Sequence, residues 1–342
     1  MSEVVRKGSG TARALSKREG KYIHGQYHEG RHTWDGHVGT HVANAILYQG
    51  LAAEIYCIDA LEAKVVSEVN DLQDAMPFYP RQARVYNCHC DYEALLDCDI
   101  VVNAAGHVAA AATNRDGELF VTADETKKWA SRLKGYRGLI VSIANPCDVI
   151  ATMIWKLAEL APNQIVGSGT ALDSSRLRHA LWEQTGHAYS PSSITGWMLG
   201  EHGSSQFAAW SHVFFGATPL AELERTDPGR FSFDKDAVEE AARKGGYVTY
   251  EGKGCTEYAI ANAATELVKA MVQDSKLITP CGTLLPDEGY YDEAGHFTSV
   301  PAVVGADGAE QLFPLELSAD EQEKFHASCR HIQENIEKIR CW

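Results

Sequence analysis

The chain has no apolar run that approaches the roughly 18 consecutive residues needed to cross a bilayer. It also has no apolar segment near its N-terminus of the kind that directs secretion. Internal repeats and low-complexity linkers are absent too, and 45% hydrophobic and 23% charged residues is an ordinary globular composition. These features predict a soluble, cytoplasmic protein with no membrane partner.

The chain has few positively charged residues relative to negatively charged ones. It contains 31 Lys and Arg residues and 46 Asp and Glu residues, which gives a net charge of -15. Proteins that bind the phosphate backbone of nucleic acids usually carry the opposite excess. The composition therefore argues against a nucleic-acid partner. It still permits a small anionic substrate, since a local arginine pocket can override the global charge.

The nine cysteines lack the spacing of a metal site or of a disulfide framework. An odd number, scattered from Cys57 to Cys341, fits reduced thiols in a cytosol. The run Cys88-His89-Cys90 lacks the spacer found between zinc ligands, and no second pair follows it. We therefore expect no bound metal.

From Thr40 onward the hydrophobic pattern alternates between helical and strand-like segments, which is typical of a doubly wound α/β sheet. Buried strands are predicted at 54–59, 100–106 and 139–143. Helices are predicted at 42–50, 63–72, 92–96, 126–133, 149–160, 173–185, 237–244, 256–273 and 319–338. At 342 residues the chain is long enough for two domains.

A turn with two glycines occupies Gly36, His37, Val38 and Gly39. It matches the later part of the turn with which dinucleotide-binding domains hold a pyrophosphate. Asp59 follows Gly39 by 20 residues, where a carboxylate accepts hydrogen bonds from the adenosine ribose hydroxyls. This pattern favours NAD over NADP, although, taken alone, the same residues also fit an ordinary helix start and an aspartate that caps a strand.

The residues before this turn depart from the dinucleotide-binding pattern. Trp34 stands where the first glycine is expected, and residues 30–33 (GRHT) stand where the first buried strand is expected. A central parallel strand is usually rich in Val and Ile, and an indole would block close approach of the backbone to a pyrophosphate. We interpret residues 1–28 as an atypical N-terminal tail.

Four further motifs closely resemble segments of the lactate/malate dehydrogenase family. They are Asn145–Asp148 (NPCD), Gly167–Arg178 (GSGTALDSSRLR), Gly200–Gln206 (GEHGSSQ) followed by Trp210–His212 (WSH), and Gly252–Thr256 (GKGCT). The resemblance runs from about Gly36 to the C-terminus, and Glu239–Tyr247 (EEAARKGGY) is most similar to the L-2-hydroxyisocaproate and L-lactate branches. It implies an NAD-binding domain at 29–168, with a Rossmann-type parallel sheet, and an α+β catalytic domain at 169–342.

The reduction of a 2-oxo acid needs a hydride, a proton for the carbonyl oxygen and a cation for the carboxylate. His202 is the natural proton donor, because histidine titrates near neutral pH. Asp173 would orient and charge its imidazole, and Arg176, on the same helix face, can grip a carboxylate through two parallel hydrogen bonds. Without the other motifs, an exposed Asp173–Arg176 ion pair and an ordinary loop histidine would explain these residues equally well.

The resemblance adds further site residues. Arg115, nine residues after Gly106, is the candidate for polarising the substrate carbonyl from a mobile loop, although a solvated loop arginine is an alternative. Asn145 would orient the carbonyl beside the nicotinamide. Ala105 and Gly106 are further predicted cofactor contacts, and Ala109 and Thr256 are further predicted substrate contacts.

These residues predict an NAD-dependent L-2-hydroxy acid dehydrogenase that acts on a 2-hydroxy or 2-oxo monocarboxylic acid. The family implies a homotetramer or, less often, a dimer. Two alternatives remain open, namely a malate dehydrogenase and a non-catalytic relative in which the turn at Trp34 impairs nucleotide binding.

We predict that residues 28–34 arise from a shifted reading frame over a normal first strand. The codons of residues 28–35, read one base late, force a glycine at the Trp34-Asp35 junction and allow methionine, lysine, valine, glycine, isoleucine and leucine before it. Resequencing the gene across codons 25–40 should therefore reveal a missing or extra base. An uninterrupted frame would contradict this prediction and make the N-terminal segment genuine.

Overall fold

The computed structural model describes residues 21–26, 38–106 and 115–340, with side chains for 38–106 and 118–340. The helices of these parts are α1 (Val38–Tyr48), α2 (Glu62–Asp74), α3 (Arg115–Trp129), α4 (Cys147–Ala158), α5 (Ala171–Gln184), α6 (Leu220–Thr226), α7 (Pro228–Phe231), α8 (Lys235–Lys253), α9 (Tyr258–Gln273) and α10 (Ala319–Ile339). Within them, no helix is long and apolar enough to cross a membrane.

The strands are β1 (Lys21–Gln26), β2 (Glu54–Asp59), β3 (Arg84–His89), β4 (Ile100–Asn103), β5 (Leu139–Ser142), β6 (Ile165–Gly167), β7 (Ile194–Thr195), β8 (Met198–Leu199), β9 (Phe207–Ala208), β10 (Phe214–Phe215), β11 (Thr218–Pro219), β12 (Leu277–Leu284), β13 (Phe297–Gly305) and β14 (Gly308–Leu312).

Six parallel strands in the order β3-β2-β1-β4-β5-β6 form the first part of the main sheet. This is the order of dinucleotide-binding domains, in which ligands bind beyond the carboxyl ends of the strands where the order reverses, here between β1 and β4. The antiparallel strands β12, β13 and β14 extend the same sheet beyond β6. The predicted α/β class with a doubly wound parallel sheet is confirmed.

The central strands form where apolar residues face both sides of the sheet. All four residues of β4 are buried, as are the last three of β5, and such strands read as continuous apolar runs rather than alternating ones. For the same reason the predicted strand at 54–59 coincides with β2 at both ends.

The first strand does not lie where the sequence predicted it. It spans Lys21–Gln26, inside the segment interpreted as a tail, rather than residues 30–33, and it pairs in parallel with both β2 and β4. The physical reason is residue type, since Tyr22 and Ile23 favour strands. Residues 27–37, which contain the predicted frame shift, lie outside the described residues.

The helix predicted at 126–133 begins much earlier, because α3 spans Arg115–Trp129 and only a short 3-10 turn follows at Ala130–Leu133. Leu119 and Ala123, four residues apart, are both buried against the core beneath the sheet. This one-sided burial stabilises the helix through residues 115–125, where the sequence pattern predicts no helix.

The second half of the chain is tied to the sheet by close backbone contact and by the last helix. Gly282 of β12 pairs with Gly167 of β6, and a side chain on either glycine would press against the other. Helix α10 begins with a capping box between Ser318 and Glu321 and buries an apolar face that includes Phe325. These contacts bring α5 and the loop after β8 to the carboxyl side of the parallel strands.

Candidate active site

The carboxyl edge of the parallel sheet carries a row of polar or small residues in register. Gln26 of β1 pairs with Asp59 of β2, Gly25 of β1 pairs with Asn103 of β4, and Asn103 pairs with Ser142 of β5. The apolar strands therefore end together in groups that can hydrogen bond to a ligand. This edge is where the topology places a nucleotide.

Asp59 ends β2 at this edge, and its side chain is buried. Its Oδ1 accepts a hydrogen bond from the backbone N–H of Leu61 at 2.8 Å. Burial raises the pKa of Asp59 to about 6, opposed by that hydrogen bond, so the carboxylate remains mostly ionised at pH 7. Of the glycine turn, Val38 and Gly39 form the first residues of α1, while Gly36 and His37 lie outside the described residues.

Asn103 is an edge residue that the sequence analysis missed. Its Oδ1 accepts from the backbone N–H of Ala105 at 3.2 Å, and its Nδ2 donates to Ser142 Oγ at 3.2 Å. It thereby fixes the start of the segment that contains Ala105 and Gly106. A polar residue that closes an apolar strand, as in the IVVN sequence of β4, is the signal that could have identified it.

Helix α5 and the loop after β8 place His202, Asp173 and Arg176 together. His202 Nδ1 lies 2.6 Å from Asp173 Oδ2, and Arg176 Nη1 donates to Asp173 Oδ1 at 2.8 Å. Asp173 is fully buried, whereas the His202 and Arg176 side chains are 20% and 18% exposed. One buried carboxylate thus holds both cationic groups at the border with solvent.

The pKa shifts of the pair follow from this contact. Burial opposes the charged form of His202, but the charge and hydrogen bond of Asp173 outweigh it and raise the His202 pKa. Burial likewise opposes ionisation of Asp173, yet His202 and Arg176 lower its pKa. The proton therefore resides on the imidazole, and the carboxylate stays ionised.

Backbone geometry positions the loop that carries His202. Gly200 has a φ of +87°, its backbone pairs with Ser299, and a Cβ there would collide with Ser328 Oγ. Ser328 of α10 in turn accepts the backbone N–H of Glu201 at 2.7 Å. Glycine is required at position 200 by both conformation and space.

Asp148 supports the same loop from the other side. Its Oδ2 accepts the backbone N–H of His202 at 2.9 Å, and burial raises the pKa of Asp148 to about 7. In the sequence, Asp148 stands out only as the last residue of the Asn145–Asp148 motif. Only the structure shows that this motif contacts the loop of His202, which lies 54 residues later in the chain.

The guanidinium of Arg176 occupies a space created by two consecutive glycines of α8. A Cβ on Gly245 would lie 3.0 Å from Arg176 Cδ, and one on Gly246 would lie 3.2 Å from Arg176 Nη2. The family-like sequence EEAARKGGY thus leaves room for the arginine. Among the described residues, Asp173 is the only hydrogen-bond acceptor found for this guanidinium.

The remaining predicted residues are placed less closely. Asn145 is exposed just beyond the carboxyl end of β5, and Thr256 is half-buried between α8 and α9, with no described hydrogen bond to His202 or Arg176. Arg115 is the first residue of α3 rather than part of the preceding loop, and its side chain is not described. Ala109 lies outside the described residues.

Comparison with known proteins covers both halves of the chain. Residues 34–167 match the model of the lactate/malate dehydrogenase NAD-binding domain, and residues 170–341 match that of the lactate/malate dehydrogenase α/β C-terminal domain. The first match begins after β1, so it does not include that strand.

Individual relatives cover nearly the whole chain. L-lactate dehydrogenase 1 of Bifidobacterium longum is 37% identical over 307 residues, which are 89% of this chain and 95% of the relative. L-lactate dehydrogenase 3 of Bacillus cereus is 34% identical over 296 residues, which are 86% and 92% of the two chains. The crystal structure of a minor L-lactate dehydrogenase from Enterococcus mundtii superimposes with a TM-score of 0.84 at 27% identity, covering 95% of this chain and all of that one. By sequence, domain order and fold, the chain belongs to the lactate/malate dehydrogenase family.

Proposed function

We propose that the chain is an NAD-dependent L-2-hydroxy acid dehydrogenase of the L-lactate type. The observation that carries this proposal is the buried Asp173 carboxylate bound to both His202 and Arg176. This arrangement provides a proton donor and a carboxylate-binding cation side by side, which are the two groups that a 2-oxo acid requires from the protein.

The described residues at the sheet edge fit NAD. Asp59 presents an ionised carboxylate at the tip of β2 for the adenosine ribose, and the N-terminus of α1 at Val38 and Gly39 suits a pyrophosphate. When bound, NAD supplies or accepts the hydride. We propose that Gly36, His37, Ala105, Gly106 and Asn145 complete this site.

In the reducing direction, His202 holds its proton and donates it to the carbonyl oxygen of the substrate. In the oxidising direction, the neutral imidazole accepts the proton of the hydroxyl group. Because the His202 pKa is raised, reduction should be favoured below that pKa and should decline as pH rises through it, whereas oxidation should show the opposite dependence. Asp173 acts through His202 by fixing the ring and stabilising its charged form.

Arg176 would bind the substrate carboxylate. Its Nη1 is engaged by Asp173, so the guanidinium is held in one orientation while its other N–H donors remain for the ligand. We further propose that Arg115 polarises the carbonyl group, that Ala109 and Thr256 line the substrate pocket, and that the protein is a cytoplasmic homotetramer or dimer.

His202→Asn should reduce turnover by about 10²–10⁴-fold, because the variant has no group that can donate the proton. NADH affinity, measured by cofactor fluorescence, should stay within a few-fold, since the substitution removes no cofactor contact. His179→Asn, on the exposed face of α5, is the matched control and should retain activity. Turnover of His202→Asn near the unmodified level would refute the assigned role.

Arg176→Lys should raise the KM for the 2-oxo acid by roughly 10–100-fold, because an ammonium group cannot form the two parallel hydrogen bonds of a guanidinium. Steady-state kinetics should show a smaller effect on the KM for NADH. Arg178→Lys, on the same helix, serves as the control. An unchanged substrate KM in Arg176→Lys would contradict a carboxylate-binding role.

Pyruvate and longer branched 2-oxo acids should be better substrates than oxaloacetate. The reason is that Ala109 stands where the family's malate enzymes carry an arginine, so a second carboxylate would be closed into the site without its cation. Comparing kcat/KM across a panel of 2-oxo acids measures this preference. Oxaloacetate as the best substrate would instead identify a malate dehydrogenase.

A further inference from the structure

Glu293, His296 and Cys329 form a cluster outside the proposed active site. Each offers one potential ligand atom, and the three atoms lie within 4.8 Å of one another. Glu293 and His296 lie in the segment just before β13, whereas Cys329 lies on α10. His296 and Cys329 are buried, with 3% and 0% exposure, and Glu293 is half-buried.

The imidazole of His296 has an unsatisfied nitrogen. Its Nδ1 lies 3.1 Å from the carbonyl oxygen of Ala294, while its Nε2 is buried without a hydrogen-bond partner among the described residues. When Nδ1–H donates to the carbonyl, Nε2 is left with a free lone pair, which is the arrangement of histidines that bind metals.

Two neighbouring side chains hold the carboxylate of Glu293. His326 Nδ1 lies 2.9 Å from Glu293 Oε1, and Gln333 Nε2 donates to Glu293 Oε2 at 3.4 Å. These contacts restrict the Glu293 carboxylate, whose side chain is 14% exposed. Outer contacts of this kind orient the ligands of metal sites.

We propose that Glu293, His296 and Cys329 bind a divalent transition-metal ion, with zinc the best match. A set of one thiolate, one imidazole and one carboxylate suits zinc, which takes four ligands at about 2.0–2.3 Å. A tetrahedral ion spaces its ligand atoms roughly 3.3–3.8 Å apart at those bond lengths, so the three side chains, whose ligand atoms lie within 4.8 Å of one another, need to close by up to about 1.5 Å. On binding, the Cys329 thiol releases its proton to solvent and the sulfur coordinates the ion. Water would supply the fourth ligand.

The ion would join α10 to the start of β13. Ser328, next to Cys329, binds the backbone N–H of Glu201, and Ser299 of β13 pairs with Gly200. Both elements that the ion would connect therefore hold the loop that carries His202. We expect the ion to stabilise this junction without taking part in the chemical step.

Titration of the chelator-treated full chain with Co²⁺ tests the site independently of dehydrogenase activity. The unmodified protein should bind one equivalent and develop a thiolate-to-cobalt charge-transfer absorption. Cys329→Ser, which keeps the size of the side chain, should lose that absorption. Zinc at 100 times its Kd should raise the Tm of the unmodified protein by roughly 5 °C and leave that of Cys329→Ser unchanged.

Cys90→Ser is the control, because Cys90 lies beside His89, with Sγ 3.8 Å from Nδ1, at the exposed end of β3. This variant should bind cobalt like the unmodified chain. Loss of the absorption in Cys90→Ser, its retention in Cys329→Ser, or no binding of cobalt at all would each overturn the proposal. His296→Gln provides an independent check, since a folded variant should show at least a tenfold weaker cobalt affinity.

Discussion

The catalytic half of this protein is organised around a single buried charge. Asp173 is excluded from water, and an isolated carboxylate there would be strongly destabilised. One of its oxygens contacts His202 and the other accepts a hydrogen bond from Arg176. Removal of either partner would leave a buried carboxylate oxygen unpaired, which would destabilise the fold. The requirement to neutralise one carboxylate thus fixes the spacing of His202, the proposed proton donor, and Arg176, the proposed anion-binding group.

The rest of the site keeps this triad in place by backbone contacts. Asp148 binds the N–H of His202, Ser328 binds the N–H of Glu201, and Gly200 permits the tight approach of α10. Asp148 lies on α4 and Ser328 on α10, and both helices are distant from this loop in the chain. The histidine is therefore held at its backbone as well as at its ring, and its position depends on both halves of the chain.

Much of the fold could be predicted from the sequence because its central strands are buried on both faces and its helices have one apolar face. The predicted strand at 54–59 has the observed bounds, and Asp173, Arg176 and His202 were selected by residue type together with motif order. The position of β1 and the early start of α3 were not predicted, since both depend on tertiary pairing or burial of segments with weak local preference. The predicted catalytic and binding roles of the site residues remain proposals.

Side-chain clusters were the hardest feature to predict. Asp148 reaches His202 across 54 residues, and Cys329 joins the segment of Glu293 and His296 only because α10 packs against the start of β13. No spacing rule connects such positions, and the cysteine pattern pointed to no metal site at all. Cys88, His89 and Cys90 are adjacent in the sequence and could be considered as metal ligands from the sequence alone. The residues of the buried cluster are far apart in the chain and could not.

The support of the His202 loop by α10 has a consequence for the order in which the protein matures. Helix α10 spans Ala319–Ile339, so the residues that secure Glu201 emerge from the ribosome more than a hundred residues after the loop itself. The nucleotide-binding strands can pair before that point, because their partners are already synthesised. A nascent chain can therefore form its nucleotide-binding sheet while the loop of His202 is still unsupported, and the proposed catalytic groups are secured last.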